Sequence, residues 1–327
     1  QLKPGEKPAD KLLILEDSSG DGRADKVSTF LDGLNMPTGF ALGHGGAYIG
    51  NGADLIHVRD TDGDGRADAQ EVLFTGFGTG DTHQNINSFT WSPGGELFFG
   101  QGLHCFSRVQ TPWGIRKLDE HGSWRLRPLR RQLHSFRRTS GGGNPWGYAF
   151  GDWGEPFIKS NGSEVSELLP GLVSTEHIEG GYWGGAMKIG ATKIKSMIIE
   201  MIDSPHLPDD LQGDFLIAGY FARNIARLRP STDGSGHKLQ TLKPLLTSTH
   251  NAFRPVDIQT GPDGALYVAD WFNPIIGHYQ ASLRHPNRDK EHGRIWRISA
   301  KGRTLAKQPP IASMTPAQLC DQLAAPM

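Results

Sequence analysis

Two acidic turns are the first stretches of this chain able to do chemistry. Asp60 to Asp68 reads DTDGDGRAD and puts carboxylates at Asp60, Asp62, Asp64 and Asp68, with Gly65 for the sharp turn and Glu71 following. A hard divalent ion needs such oxygen ligands at about 2.3–2.6 Å, which makes calcium the expected occupant. Asp17 to Asp25, DSSGDGRAD, repeats the phrase with Asp17, Asp21 and Asp25, but Ser19 stands in place of the second carboxylate and Ser28 in place of the glutamate. The competing reading is a hairpin turn whose Asp side chains only cap backbone amides.

A second constellation surrounds His83, flanked by Asp81, Gln84, Asn85 and Asn87 just before an apolar run from Phe89 to Trp91. An imidazole, with its ordinary pKa of about 6.5, can accept a substrate proton from such a loop; it can also merely bond loop backbone. A third gathers Arg254, Asp257, Asp270, Trp271, Asn273, His278 and Arg294 towards the end of the chain. An aromatic ring beside carboxylate, amide and guanidinium stacks on a sugar and bonds its hydroxyls. Arg254, Asp270, Trp271 and Asn273 are therefore candidate substrate contacts, against the alternative that Asp270 and the Arg-Asp pair brace the closure between the last and first blades. Trp146, Trp153, Tyr182 and Trp183 read as packing between strands.

Short strands must position all three groups. Each acidic turn follows one apolar strand (Leu12 to Leu15; Leu55 to Val58) and precedes another, and the two copies are 43 residues apart, a period that fits a propeller blade. Ser92-Pro-Gly-Gly-Glu-Leu-Phe-Phe-Gly100 matches Gly261-Pro-Asp-Gly-Ala-Leu-Tyr-Val-Ala269, a tight turn before an alternating strand in both. Further strands are expected at Ala47 to Ile49, Gly147 to Phe150, Met197 to Met201, Phe215 to Tyr220, Ile225 to Arg229 and Arg294 to Ile298. At roughly 45–50 residues per four-stranded blade, residues 1–299 predict a six-bladed β-propeller in an all-β fold. Residues 300–327 predict a linker and a short C-terminal helical tail, with Thr315 as N-cap and Pro316 at the first helical position.

Composition supports many turns and strands: 43 glycines and 21 prolines in 327 residues, with 21% charged residues. A net charge of −1 gives no global field for nucleic acid, and the one basic stretch, Arg125 to Arg138, reads as a solvated loop. The longest apolar run, Phe215 to Ala222, is far short of the roughly 20 residues of a membrane span. The chain starts at Gln1, which suggests a mature N-terminus or a fragment. Its two cysteines, Cys105 and Cys320, fit no zinc or haem motif and read as free thiols. No phosphate or dinucleotide loop, GxSxG elbow or HExxH is present.

The acidic turns, DTHQNINSFTWSPGGELFFGQG (81–102), NPWGYAFGDWGE (144–155), RPVDIQTGPDGALYVADWFNPIIGHY (254–279) and HPNRDKEHGRIWRI (285–298) together resemble the propeller domain of the large membrane-bound dehydrogenase proteins of planctomycetes and verrucomicrobia. That family is similar, at a distance, to soluble glucose and sorbosone dehydrogenases, six-bladed propellers that use pyrroloquinoline quinone and calcium. The resemblance implies a sugar-oxidising enzyme, an extracytoplasmic (periplasmic or secreted) location, and a c-type haem domain as electron acceptor. It makes His83 the catalytic base and Asn144, Arg294 and Arg297 the quinone contacts. Gly143 departs from the pattern, since the sugar dehydrogenases carry an arginine before the Asn-Pro that Asn144 and Pro145 reproduce. That departure leaves open a non-redox carbohydrate-cleaving enzyme, a lyase or hydrolase, and a non-catalytic propeller that binds a glycan or partner.

Overall fold

In the computed structural model, residues 5–137, 143–160, 162–168, 186–276 and 285–323 are described; Tyr182, Trp183 and His278 lie outside them. The chain divides into two compact units, Gln1–Lys188 and Ile189–Met327. The first opens with a hairpin of β1 (Asp10–Glu16) and β2 (Lys26–Leu34), joined by the Asp17 turn. A four-stranded sheet follows in chain order: β3 (Pro37–Gly43), β4 (Gly46–Asn51), β5 (Asp54–Arg59) and β6 (Ala69–Thr75), with the Asp60 turn before its last strand. The next sheet starts with β7 (Asn87–Trp91) and β8 (Leu97–Gln101). An inserted hairpin, β9 (Phe106–Thr111) and β10 (Gly114–Asp119), then precedes the sheet's remaining strands, β11 (Gly122–Arg127) and β12 (Gln132–Arg137). A third sheet runs β13 (Gly147–Phe150), β14 (Pro156–Lys159), β15 (Glu164–Leu168) and β16 (Ala186–Ala191).

The second unit has a sheet of β17 (Met197–Met201), β18 (Phe215–Gly219), β19 (Asn224–Asp233) and β20 (Gly236–Thr241), with the short β21 (Leu246–Thr247) also paired to β19. A three-stranded sheet of β22 (Pro255–Thr260), β23 (Leu266–Asp270) and β24 (Arg294–Ile298) completes it. Within the units, the first strand of one sheet packs on the first strand of the next: β3 on β7, β7 on β13, and β17 on β22. The fold is all-β with a propeller arrangement and one short C-terminal helix, Pro316–Gln322.

Five blades are present among the described residues, where chain length predicts six. The difference has two sources. The β1–β2 hairpin remains two-stranded and lies against the first sheet, with Leu12, Phe30 and Leu31 packed on Ala47, Ile49, Ile56 and Val58. The β9–β10 insertion consumes a further stretch without adding a blade. A count that divides length by blade size assigns both segments to a sixth sheet.

Local chemistry explains the strands that sequence does locate. The two matching turns are built alike: the Gly95 amide donates to the Ser92 carbonyl at 2.9 Å and the Ser92 amide to Glu96 at 2.8 Å, while Gly264 donates to Gly261 at 2.9 Å and Gly261 to Ala265 at 2.8 Å. Gly95 and Gly264 both take positive φ, where a side chain would be strained. At the C-terminus Thr315 and Gln318 form a reciprocal capping box, with Pro316 in the first turn.

The core of the first unit centres on Trp124 of β11, which is fully buried. Its ring stacks on Phe99 and meets Phe77 edge-on, with centroids 6.4 and 5.3 Å away. Its indole N–H donates to Gln101 Oε1 at 3.2 Å. The same glutamine's amide nitrogen donates to the carbonyls of Cys105, Leu118 and Glu120, and so ties the inserted hairpin to β8. Trp124→Ala should therefore destabilise the protein by about 3–5 kcal/mol, read as a shift in denaturant midpoint; a loss under about 1 kcal/mol would contradict this account of the core.

Candidate active site

Thr82–Gln84 forms a single 3-10 turn ahead of β7. The Gln84 amide closes the turn on the Asp81 carbonyl at 2.9 Å, and the Gly102 amide at the exit of β8 donates to the Gln84 carbonyl at 3.0 Å. Thr38 of β3 donates its hydroxyl to the Ile86 carbonyl at 2.7 Å. The loop is thus held by the strands on both sides of it. On this support His83 Nδ1 lies 2.5 Å from Asp81 Oδ1, and the imidazole is 43% exposed. Behind it in the chain, Gln84 and Asn85 are wholly buried.

Asn144 lies just before β13, with its Oδ1 enclosed and without a hydrogen-bond partner. The preceding Gly143 accepts a 2.8 Å hydrogen bond from the Leu103 amide. A Cβ at Gly143 would lie 2.1 Å from Leu103 side-chain atoms, so the arginine that the sugar dehydrogenases place there would require Leu103 to move. Arg294 and Arg297 are three residues apart on β24 and therefore face opposite sides of their sheet. Arg294 lies 3.3 Å from the Phe272 ring centroid, while Arg297 donates Nε and Nη2 to Asp263 Oδ2 at 2.8 and 2.5 Å. That contact lifts the Arg297 guanidinium above its ordinary range. Arg294 and Arg297 are thus engaged on opposite faces of one strand, an arrangement that does not fit two contacts to one quinone, and no step is derived through that cofactor.

The expected sugar contacts are brought together, but by each other. Asp270 accepts the backbone amides of Arg254 and Phe272 at Oδ1, at 2.8 and 2.9 Å, and the Trp296 indole at Oδ2, at 3.0 Å. Arg254 donates Nε to the Asn273 carbonyl at 3.0 Å and Nη1 to the Tyr220 carbonyl at 3.1 Å. Asn273 accepts from the Ile275 amide and donates to the Asp289 carbonyl. All three side chains are buried; they brace the turn after β23. Trp271, half-buried, carries the Arg288 guanidinium 4.8 Å from its ring centroid. A cleft of about 400 Å³ beside β24, lined by Leu246, Phe253, Trp296 and Arg297 among others, contains none of these four.

Both acidic turns share one mould. Asp60 accepts the amides of Gly63 and Gly65, as Asp17 accepts those of Gly20 and Gly22. Asp68 accepts from the Thr61 amide and hydroxyl, as Asp25 does from Ser18. The Gly65 amide is the main reason that Asp60 titrates below the usual carboxylate range, and the Ser18 amide the main reason for Asp25. Asp60, Asp62 and Asp64 bring ligand oxygens within 4.8 Å of one another, close to the separation of opposed ligands about a calcium ion. The donor set suits calcium. Asp68 faces Thr61 instead of this group, and Asp21 is engaged by the Arg23 amide.

Sequence reasoning noted Asp257 but missed its neighbour Glu200. Glu200 sits in the apolar strand β17, where only its charge among isoleucines and methionines gave a signal. It accepts the Thr260 amide of β22 at 2.8 Å. Burial first, and then the Asp257 charge, push its pKa up to about 7, and burial also raises Asp257. Both strands have irregular register beside these residues, and Ile198 holds φ +47°, a strained value for a branched side chain. Because the folded pKa lies above the ordinary glutamate value of 4.5, the protonated carboxyl favours folding at low pH, and that stability is lost as pH rises to about 7. Glu200→Gln should therefore match the wild type at pH 4 and exceed it by about 1–3 kcal/mol at pH 8. Parallel stability curves across that range would refute the assignment.

A family model described as "Domain of unknown function (DUF7133)" matches residues 1–181 and 196–302. No curated protein sequence matches the chain. Among solved structures, a luciferin-regenerating enzyme aligns over 85% of this chain and 82% of its own at 10% identity, with a TM-score of 0.53. A glucose dehydrogenase aligns over 84% and 99% at 15% identity with a TM-score of 0.49. Virginiamycin B lyase from Staphylococcus aureus aligns over 81% and 85% at 13% identity with a TM-score of 0.43. Identities this low speak to fold and not to activity, and only the first of these scores supports even the fold. The family model, by contrast, spans most of the sequence, and the chain belongs to the DUF7133 family.

Proposed function

We propose that this chain is a carbohydrate-active propeller in which His83 removes a proton from the substrate. One observation carries the reading: the Asp81 carboxylate at His83 Nδ1. A carboxylate there fixes the ring's orientation and tautomer, directs basicity to Nε2 and stabilises the imidazolium once the proton has moved. Partial exposure lets a substrate approach the ring. That the substrate is a carbohydrate follows from the sequence resemblance.

Proton removal is common to sugar oxidation and to non-redox cleavage by a lyase or hydrolase. The crowding at Gly143 and the opposed faces of Arg294 and Arg297 favour cleavage. Dehydrogenation would bring with it an extracytoplasmic setting and a c-type haem acceptor, and a propeller that only binds glycans would need no base. Calcium at Asp60, Asp62 and Asp64 would lock the β5–β6 turn and would supply no chemistry at His83.

Two measurements test these readings. Calcium at about a hundred times its Kd should add about 2.7 kcal/mol to stability, a gain that chelator reverses and Asp62→Asn with Asp64→Asn abolishes; melting indifferent to calcium would remove the ion. His83→Ala should lower turnover about 10²- to 10⁴-fold at unchanged melting temperature. Turnover is followed both as dye reduction by sugars and as new reducing ends or unsaturated products from oligosaccharides. Full activity in that variant would refute the base.

A further inference from the structure

We infer that the last blade is a peptide-docking site: an extended segment of a partner protein, apolar at its centre and acidic at its ends, pairs with the open edge of β24 as a fourth strand and sets a large side chain into the cleft beside it. Among the described residues the other four blades have at least four strands each, and the β22–β24 sheet has three. β24 pairs there with β23 alone. Along its other edge the outward amides and carbonyls of Arg294–Ile298 meet no partner among the described residues.

Such a row of backbone groups is a template for another strand, and edges that stay single are blunted by polar and charged side chains. In the adjacent sheet the edge strand β20 follows that rule, with Lys238, Gln240 and Thr241 exposed. β24 does not. Ile295 and Trp296 are 58% and 46% exposed on it.

The cleft of about 400 Å³ reaches this edge. It touches Trp296, Arg297 and Ile298, consecutive residues whose side chains alternate between the two faces of the strand. Its opening therefore wraps the edge of β24 and does not lie under one face. Its floor is apolar, formed by Ile225, Val268 and Phe253, each at most 7% exposed. A small apolar ligand would fill the cleft and leave the edge unpaired. An extended peptide meets both, because its main chain bonds the strand while every second side chain turns towards the pocket.

Charge sets the ends of the docked segment. Arg294 opens β24 and Lys301 follows it, and neither is in an ion pair among the described residues. Arg297, between them, is neutralised by Asp263. Carboxylates at the two ends of the partner strand complement this arrangement.

The probe is a synthetic heptapeptide with blocked termini, Glu-Val-Thr-Phe-Thr-Val-Glu, titrated onto the full chain by calorimetry. Replacing its Phe by Ala should weaken binding about tenfold. Thr249→Trp, which plugs the cleft from an exposed position on its rim, should do the same at an unchanged melting temperature. Two further peptides are N-methylated at alternate amides, one on the Val and Phe residues and one on the Thr residues. One should lose binding and the other keep it, since only one set of amides faces β24. Equal binding by both would mean that the cleft takes a side chain without strand pairing, and would overturn the inference. So would a wild type that does not bind the probe, or a dimer in light scattering that Ile295→Lys dissociates, which would make a second copy of this chain the occupant.

Discussion

Burial on both faces of a sheet is the constraint from which the rest of this structure follows. In the first unit the β7–β12 sheet has another sheet's first strand on either side of β7, so β8 buries all five of its residues, Leu97 to Gln101. Such a strand cannot alternate apolar and polar residues; it reads as a continuous apolar run. Polar side chains that remain inside must find partners there, as Gln101 does. Exposed titratable groups are displaced to strand ends and turns, where His83 and both acidic turns stand.

The same constraint decides what was legible. Tight turns are written in local residues, so the hairpin positions of the acidic turns and of the two Pro-x-Gly phrases could be read directly, and Thr315-Pro316 announced the terminal helix. The number of blades could not, because an inserted hairpin and a detached first hairpin are made of the same strand-forming residues as a blade. The place of His83 in a turn before a strand was legible because polar residues crowd the stretch ahead of an apolar run. Arg254, Asp270 and Asn273 have the residue types of a sugar site, but sequence carries no record of whether a carboxylate meets a hydroxyl or its own chain's amides. Glu200 was hidden by its apolar neighbours, although a lone acid in a buried strand is itself a signal. The parity of Arg294 and Arg297 on one strand was available from spacing alone.

The paired acidic turns separate shape from charge. Their common bonds, from Asp17 and Asp60 to glycine amides and from Asp25 and Asp68 to a hydroxyl residue, set the conformation of both. The third positions, Ser19 and Asp62, each add one bond of their own kind: Ser19 donates to Asp17, while Asp62 accepts the Asp64 amide. One copy is therefore free to gather three carboxylates while the other keeps the same turn with fewer.

The inserted hairpin hangs from a residue that is not part of it. Gln101 ends β8, while the carbonyls of Cys105, Leu118 and Glu120 that it satisfies flank or terminate β9 and β10. Without the hairpin, this glutamine would be a buried amide short of acceptors; without the glutamine, the hairpin's carbonyls would lose a donor, and Cys105 would keep only the Glu120 amide. The insertion and the side chain at position 101 thus act as one mechanical unit, since removing either leaves buried polar groups of the other short of a partner.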